Sequence, residues 1–305
     1  MNTLHVLLPS MQQMQDDPAL CEWLARGDRL PDVRAARTAV VRERFQFAGD
    51  AIPAAALRHH CCAADAERGV WLCADPAWVR SEATGARLMA CPVGDVSAAD
   101  AEELAAALRP LFAEAAATLV VDTPSTWCLR LAEGNTHAAF TAPADALGAS
   151  LADCLPEGSA GRAWRRQFNE AQILLHAHPA NARRIAAGKR PVNALWFWGE
   201  GALPDSVETG LRYVASADDV LRGLARMAGA VRLEPLPQAL EAADEAGDIL
   251  LDLDVSYGLD GISDWLPSFR HWLREKRFGV ISLVFASGER FRIRHTHRLR
   301  FWRHG

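Results

Sequence analysis

Lysine is almost missing from this chain of 305 residues: Lys189 and Lys276 are the only two, so 31 of the 33 basic residues are arginine. Tyrosine is nearly as scarce, with two residues against ten tryptophans. The arginine and alanine excess fits a high-GC coding sequence, whereas the tryptophans need a structural reason. No apolar run approaches the ~18–20 residues of a membrane-spanning helix, so no membrane role is expected. The amino terminus lacks a basic leader segment, and Leu4–Leu8 is too short for a secretory core, so no secretory leader is expected. The seven cysteines are an odd number, include no CxxC pair and place Cys61 beside Cys62. That excludes the common zinc-ribbon and thioredoxin patterns and points to reduced thiols, mostly buried, in a cytoplasmic protein. A net charge of −5 argues against a globally basic nucleic-acid binder. Neither an internal repeat nor a low-complexity linker is present.

Half of the residues are hydrophobic, enough for a sizeable core, and the length suits two domains. Leu4–Leu8, closed by Pro9, reads as a buried strand opening an α/β sheet. Val70–Cys73, Arg87–Cys91, Thr118–Val121 and Thr126–Leu131 read as strands around one helix whose N-cap is Ser97. This stretch, residues 70–150, is expected to be a separate α+β domain. Gly161–Ala177 shows a helical stripe of Trp164, Phe168, Ala171 and Leu175. Val192–Trp198 reads as a strand ending in a turn at Gly199–Pro204, and Ile249–Val255 as a buried strand. Val280–Phe285 and Arg290–Phe301 form a hairpin. Strands alternate with helices on both sides of 70–150, so 1–69 and 151–305 are expected to form one α/β core.

Several constellations carry candidate chemistry. Asp252 and Asp254 are two apart on a strand, which suits a metal or acid–base pair, or an acidic sheet end held by arginine. They lie in 241–264, where eight acids, including Asp244, Glu245 and Asp260, occur without lysine or arginine. The C-terminal segment is the opposite. Strand alternation would put Arg290, Arg292, Arg294, Arg298 and Arg300 on one face and Phe291, Ile293, His295 and His297 on the other. Such an arginine face suits a phosphate, a nucleic acid or an acidic protein, or simply protects a sheet edge, or docks on the chain's own acidic segment. Arg303 adds to its charge. His176, His178, Asn181 and Arg184, with Asn193, Trp198 and Glu200, form a polar and aromatic group that could hold a phosphorylated ligand. The same residues could instead cap a helix end and line a buried aromatic layer with Trp196. His59-His60-Cys61-Cys62 carries metal-binding residue types, but contiguous side chains do not converge on one ion.

The stretch Leu155–Pro204 contains NEAQILLHAHPAN, Arg184, and then VNALWFWGEG. It resembles the HPxNxxR and N-x-[IL]-W-x-W-G-x-G segments of archaeal-type cofactor-independent phosphoglycerate mutases. It is most similar to their bacterial offshoot, the RpfE-type regulatory proteins, as is Asp75-Pro76-Ala77-Trp78-Val79-Arg80. The resemblance implies an alkaline-phosphatase-like α/β core sheet flanked by helices, with a smaller inserted α+β domain. For the mutases it also implies two divalent metals and a phosphate-carrying serine. This chain departs from that pattern. Ser10 stands where the mutases have a metal-binding aspartate, Ala286-Ser287 stands near an Asp-His pair, and only His295-Thr296-His297 resembles the last ligand segment. Asp244–Asp248 echoes a mutase ligand stretch, but precedes its strand instead of following it. The resemblance therefore implies a catalytically degenerate regulatory protein with no cofactor, binding a small phosphorylated or anionic ligand, a protein partner, or both. Two alternatives remain. One is an active phosphomutase or phosphatase with Mn, Zn or Mg on Asp252, Asp254, His295 and His297. The other is a nucleic-acid-associated regulator using the arginine segment.

Overall fold

A computed structural model describes residues 2–14, 17–63, 66, 69–83, 85–132, 138–243, 247–254 and 263–300. Its strands, in chain order, are β1 (Thr3–Leu8), β2 (Asp28–Leu30), β3 (Phe45–Gln46), β4 (Val70–Glu82), β5 (Gly85–Ala90), β6 (Ala117–Thr123), β7 (Thr126–Leu131), β8 (Ala194–Ala202), β9 (Glu208–Thr209), β10 (Leu211–Ala215), β11 (Val231–Leu233), β12 (Asp248–Asp252), β13 (Val280–Phe285) and β14 (Arg290–Ile293). The class is α/β, and the chain divides into two compact units, Met1–Ala48 with Pro204–Gly305, and Gly49–Leu203.

The first unit is built on a seven-stranded sheet in the order β11-β10-β12-β1-β13-β14-β2. Strands β11, β10, β12, β1 and β13 run parallel, and β14 and β2 add an antiparallel edge. The near-continuous apolar runs in β1, β12 and β13 are what strands covered on both faces require. Their side chains join Trp265, Phe269 and Trp272 from the helix Leu266–Arg274 and the turn before it in one core. Trp265, Phe269, Trp272 and Phe278 follow one another in edge-on and tilted contacts about 6 Å apart.

The second unit is a mainly antiparallel sheet in which β4 pairs with β5, β7 and β8, and β6 pairs with β7. Its two long helices, Ala98–Glu114 and Gly158–His176, share a core with the sheet. Ser97 caps the first by accepting the Asp100 N–H at 3.1 Å.

The structure moves three boundaries. The inserted unit is Gly49–Leu203, not 70–150, and it is about as long as the two segments that flank it rather than smaller. The reason is β8: it pairs with β4 over Val70–Ala77, and so draws the motif-bearing segment into the inserted sheet. Strand β4 continues through Asp75-Pro76, because Pro76 falls between the β7-paired residues Val70–Cys73 and the β5-paired residues from Trp78 onward. Strand β8 does not turn at Gly199. Gly199 and Gly201 let the strand lie against the helix Ala54–Cys62 and the residue before it. A Cβ at either would come within 2.7 Å of Ala54 or 2.6 Å of Pro53. Of the seven cysteines only Cys73, Cys128 and Cys154 are buried, fewer than expected. No described helix is long and apolar enough to cross a membrane. The expected strand end at Val255 and the acids Asp244, Glu245 and Asp260 lie outside the described residues, as do Phe301 and Arg303.

Candidate functional site

The parallel strands of the first unit all deliver polar residues at their carboxyl ends, where α/β sheets bind ligands. Ser10 follows β1, Ser216 and Asp218 follow β10, Asp252 ends β12 with Asp254 just beyond, and Ser287 follows β13. A guanidinium lies among the acids. Arg37, on the helix Ala36–Arg44, reaches Asp252 at 2.7 Å, Asp218 at 3.3 Å and Asp254 at 3.4 Å. Asp252 is fully buried, and also accepts the Ser216 hydroxyl at 2.7 Å and the Asp254 N–H at 3.2 Å. Burial works against the charge on Arg37, but Asp218 and Asp252 outweigh it and hold the guanidinium above its ordinary range. Burial, reinforced by Asp252 and Asp218, pushes the Asp254 carboxyl up despite Arg37. One monocation is thus shared by three carboxyl groups.

The four residues assigned to a rebuilt metal site are not brought together. Asp252 and Asp254 are on Arg37, whereas His297 faces Asp28 at 3.4 Å and lines a separate cavity together with His295. These residues do not fit a two-metal centre. The arginine reading of the acidic sheet end matches this geometry, although Arg37 itself carried no motif that could single it out.

In the segment Leu155–Pro204, Asn181, Arg184, His178 and Asn193 bond the chain's own groups. Asn181 is buried, donating to the Leu175 and Val192 carbonyls at 2.7 Å each and accepting the Val192 N–H at 2.8 Å. It therefore ties the end of one helix to the start of β8. Arg184 is 2% exposed and bonds the Arg190 and Asp95 carbonyls and the Asp95 and Asp100 carboxylates. His178 caps the helix Pro179–Ala186 by accepting the Ala180 N–H, and His176 is exposed. Asn193 clasps both backbone groups of Val79 at 2.8 Å, and Glu200 is half-buried on β8. Trp196 is buried against Phe168, and Trp198 donates to Asp75 at 2.8 Å. Asp75, which is 1% exposed, also receives Arg58 in a two-pronged pair at 2.7 and 3.0 Å and the Trp127 N–H at 3.3 Å. The Arg58–Asp75 pair was not foreseen, because its partners belong to different elements.

The arginine face is shorter than the alternating pattern predicts. Strand β14 ends at Ile293, and His295–Leu299 is a 3-10 helix, so only Arg290 and Arg292 alternate with buried Phe291 and Ile293. The cause is Asp28 on β2, which draws in Arg300 at 2.6 Å, Arg294 at 3.3 Å and His297. The Arg300 hydrogen bond holds the Asp28 carboxyl below its usual range. Arg290 pairs with Glu43 at 3.1 Å, so the described partners of this segment are Asp28 and Glu43 rather than 241–264. Next to it opens a cavity of about 320 Å³, lined by Arg26, Arg270, Arg274, Arg294, Arg298, His295 and His297 over a floor of Trp23, Leu273 and Ile293, with Glu22 the one acid among its described lining residues.

The chain resembles known enzymes over part of its length. It is 36% identical over 94 residues to the 2,3-bisphosphoglycerate-independent phosphoglycerate mutase of Methanosarcina barkeri, a match covering 29% of this chain and 24% of that one. It is 36% identical over 97 residues to the mutase of Methanothrix thermoacetophila, covering 30% and 25%, respectively. A probable mutase of the same kind from Geobacter sulfurreducens is 34% identical over 92 residues, covering 28% and 23%. Each match spans about a quarter of the curated relative's length. The cofactor-independent phosphoglycerate mutase structure from Thermoplasma acidophilum aligns over 95% of this chain and 88% of its own, at 15% identity and a TM-score of 0.42. No protein-family model matches the chain.

Proposed function

We propose that this chain is a catalytically degenerate, phosphoglycerate-mutase-like regulatory protein of the RpfE type, which acts in the cytoplasm by binding a small anionic or phosphorylated ligand. The observation that carries this reading is Arg37 among Asp218, Asp252 and Asp254. A guanidinium supplies positive charge to these acids where a metal ion would otherwise do so, and Ser10, after β1, offers only a neutral hydroxyl. The partial sequence similarity to mutases supports the relationship, while the positions that depart from the mutase pattern support loss of turnover.

The arginine-lined cavity supports an anionic ligand. Five arginines and two histidines line it, with Glu22 the single acid among its described lining residues. Its apolar floor favours a small molecule with an anionic group over bare nucleic acid backbone. Calorimetric titration with inorganic phosphate and with 3-phosphoglycerate tests this. Binding is expected, weakened by salt, and reduced about tenfold or more by Arg274→Glu with Arg298→Glu, since hydrogen bonds to charged groups contribute roughly 1.5–3 kcal/mol each. Arg162→Glu, on an exposed helix position of the other unit, leaves it unchanged. Absence of binding, or equal binding by the cavity variant, contradicts the assignment.

A further inference from the structure

A second cluster lies in the inserted unit, and neither the mutase resemblance nor the ligand reading uses it. His59 on the helix Ala54–Cys62, Asp122 on β6 and Cys128 on β7 bring an imidazole, a carboxylate and a thiol together. His59 Nδ1 is 2.7 Å from Asp122 Oδ1, Cys128 Sγ is 3.3 Å from Asp122 Oδ2, and Sγ is 3.8 Å from His59 Nδ1. The His59 and Asp122 side chains are only 3% and 4% exposed, and Cys128 is 2% exposed. Among the described residues this is the one group of three or more such side chains placed to share an ion.

We infer that His59, Asp122 and Cys128 bind a zinc ion as its three protein ligands, with the fourth tetrahedral position left to water. Two observations support it. First, the ligand types are those zinc takes, and its bond lengths in a tetrahedron separate donor atoms by roughly 3.3–3.6 Å. The Sγ–Nδ1 and Sγ–Oδ2 separations here are within a few tenths of that, whereas the contact of His59 Nδ1 with the other carboxylate oxygen, Oδ1, has to open by roughly 0.6 Å or more to admit the ion. Second, Asp122 is there because the β6–β7 ladder shifts register between Val121 and Thr123. An irregularity of this kind re-aims a side chain, and here it turns a carboxylate towards the thiol of the neighbouring strand. On binding, the Cys128 thiol would release its proton to solvent, because zinc takes the thiolate.

The same cluster does not suit a cysteine nucleophile. Burial, reinforced by Asp122, pushes the Cys128 thiol well above its ordinary range, so it stays protonated until a cation binds. Cys73 is not a member, because its sulfur receives Arg58 at 3.0 Å. The tetrad His59-His60-Cys61-Cys62 thus contributes one residue, and the other two come from strands far along the chain.

The test uses the full chain, expressed with zinc and purified under reducing conditions. Elemental analysis is expected to give about one zinc per chain, and cobalt replacement to give a thiolate-to-metal absorption band. Cys128→Ser and Asp122→Ala lose the metal and the band, whereas Cys62→Ser, an exposed neighbour outside the cluster, keeps both. Chelation of the wild-type chain lowers its melting temperature, and zinc restores it. Should the cluster variants fail to fold, the wild-type chain alone decides: a chain without zinc, without the cobalt band and insensitive to chelator overturns the site. So does a band that persists in folded Cys128→Ser.

Discussion

Arg37→Ala is expected to cost about 3 kcal/mol of unfolding free energy, the lower end of the range for breaking a buried ion pair, because Arg37 keeps some exposure. The loss arises less from the missing attraction than from what remains: Asp252 fully buried, with Asp218 and Asp254 beside it and no cation among them. The deficit should shrink as pH falls, because protonation relieves the repulsion in the variant, while in the wild type it discharges carboxylates that Arg37 pairs. Adding Asp252→Asn to Arg37→Ala should recover part of the stability, a coupling that a double-mutant cycle measures. Millimolar magnesium should stabilise Arg37→Ala and leave the wild type unchanged, because three carboxylates without their guanidinium are oxygen ligands for a hard dication. Denaturant unfolding at two pH values, with and without magnesium, checks all of this. A loss below about 1 kcal/mol on Arg37→Ala, typical of an exposed pair, would mean that Arg37 only decorates the sheet end.

Asp75→Ala should be more damaging, by about 4–5 kcal/mol, the upper end for breaking a buried pair. Asp75 accepts four donors, two from Arg58 and one each from Trp198 and Trp127, and all would lose their acceptor at once. The guanidinium of Arg58 would then be a buried charge over the Trp198 ring with no counter-ion. Asp75→Leu with Arg58→Met should regain much of the loss, because a hydrophobic replacement of both partners removes the desolvation penalty. Trp198 fluorescence should report the change in each variant. If Asp75→Ala unfolds with a wild-type midpoint, the polar network in this sheet is not a stabilising element.

These residues show what the sequence discloses and what it hides. Strand β1, the Ser97 cap and the hairpin of β13 and β14 were legible because their signals are local: an apolar run closed by proline, a capping residue, and alternation around a Ser-Gly turn. The domain boundary was not, because it depends on β8 joining β4 more than 100 residues away. Asn181 and Arg184 stood out in a recognisable motif, but a motif does not say whether its amides and guanidinium face a ligand or the backbone. Here Asn181 spends its bonds on Leu175 and Val192. The Arg-x-Arg spacing of the tail extrapolated beyond the strand, because Asp28, whose pull on Arg294 and Arg300 ends it, lies more than 260 residues upstream. His59, Asp122 and Cys128 were invisible for the same reason: their separations match no ligand spacing, and only the stacking of helix on sheet brings them together.

The proposed loss of turnover rests on Arg37 occupying the acids at the carboxyl edge of the first sheet. Conversion of 3-phosphoglycerate to 2-phosphoglycerate by the purified chain, with manganese, cobalt or magnesium added, measures it. A rate indistinguishable from the protein-free control is expected with each metal. A metal-dependent rate in the wild-type chain that disappears in Asp252→Asn would overturn the proposal.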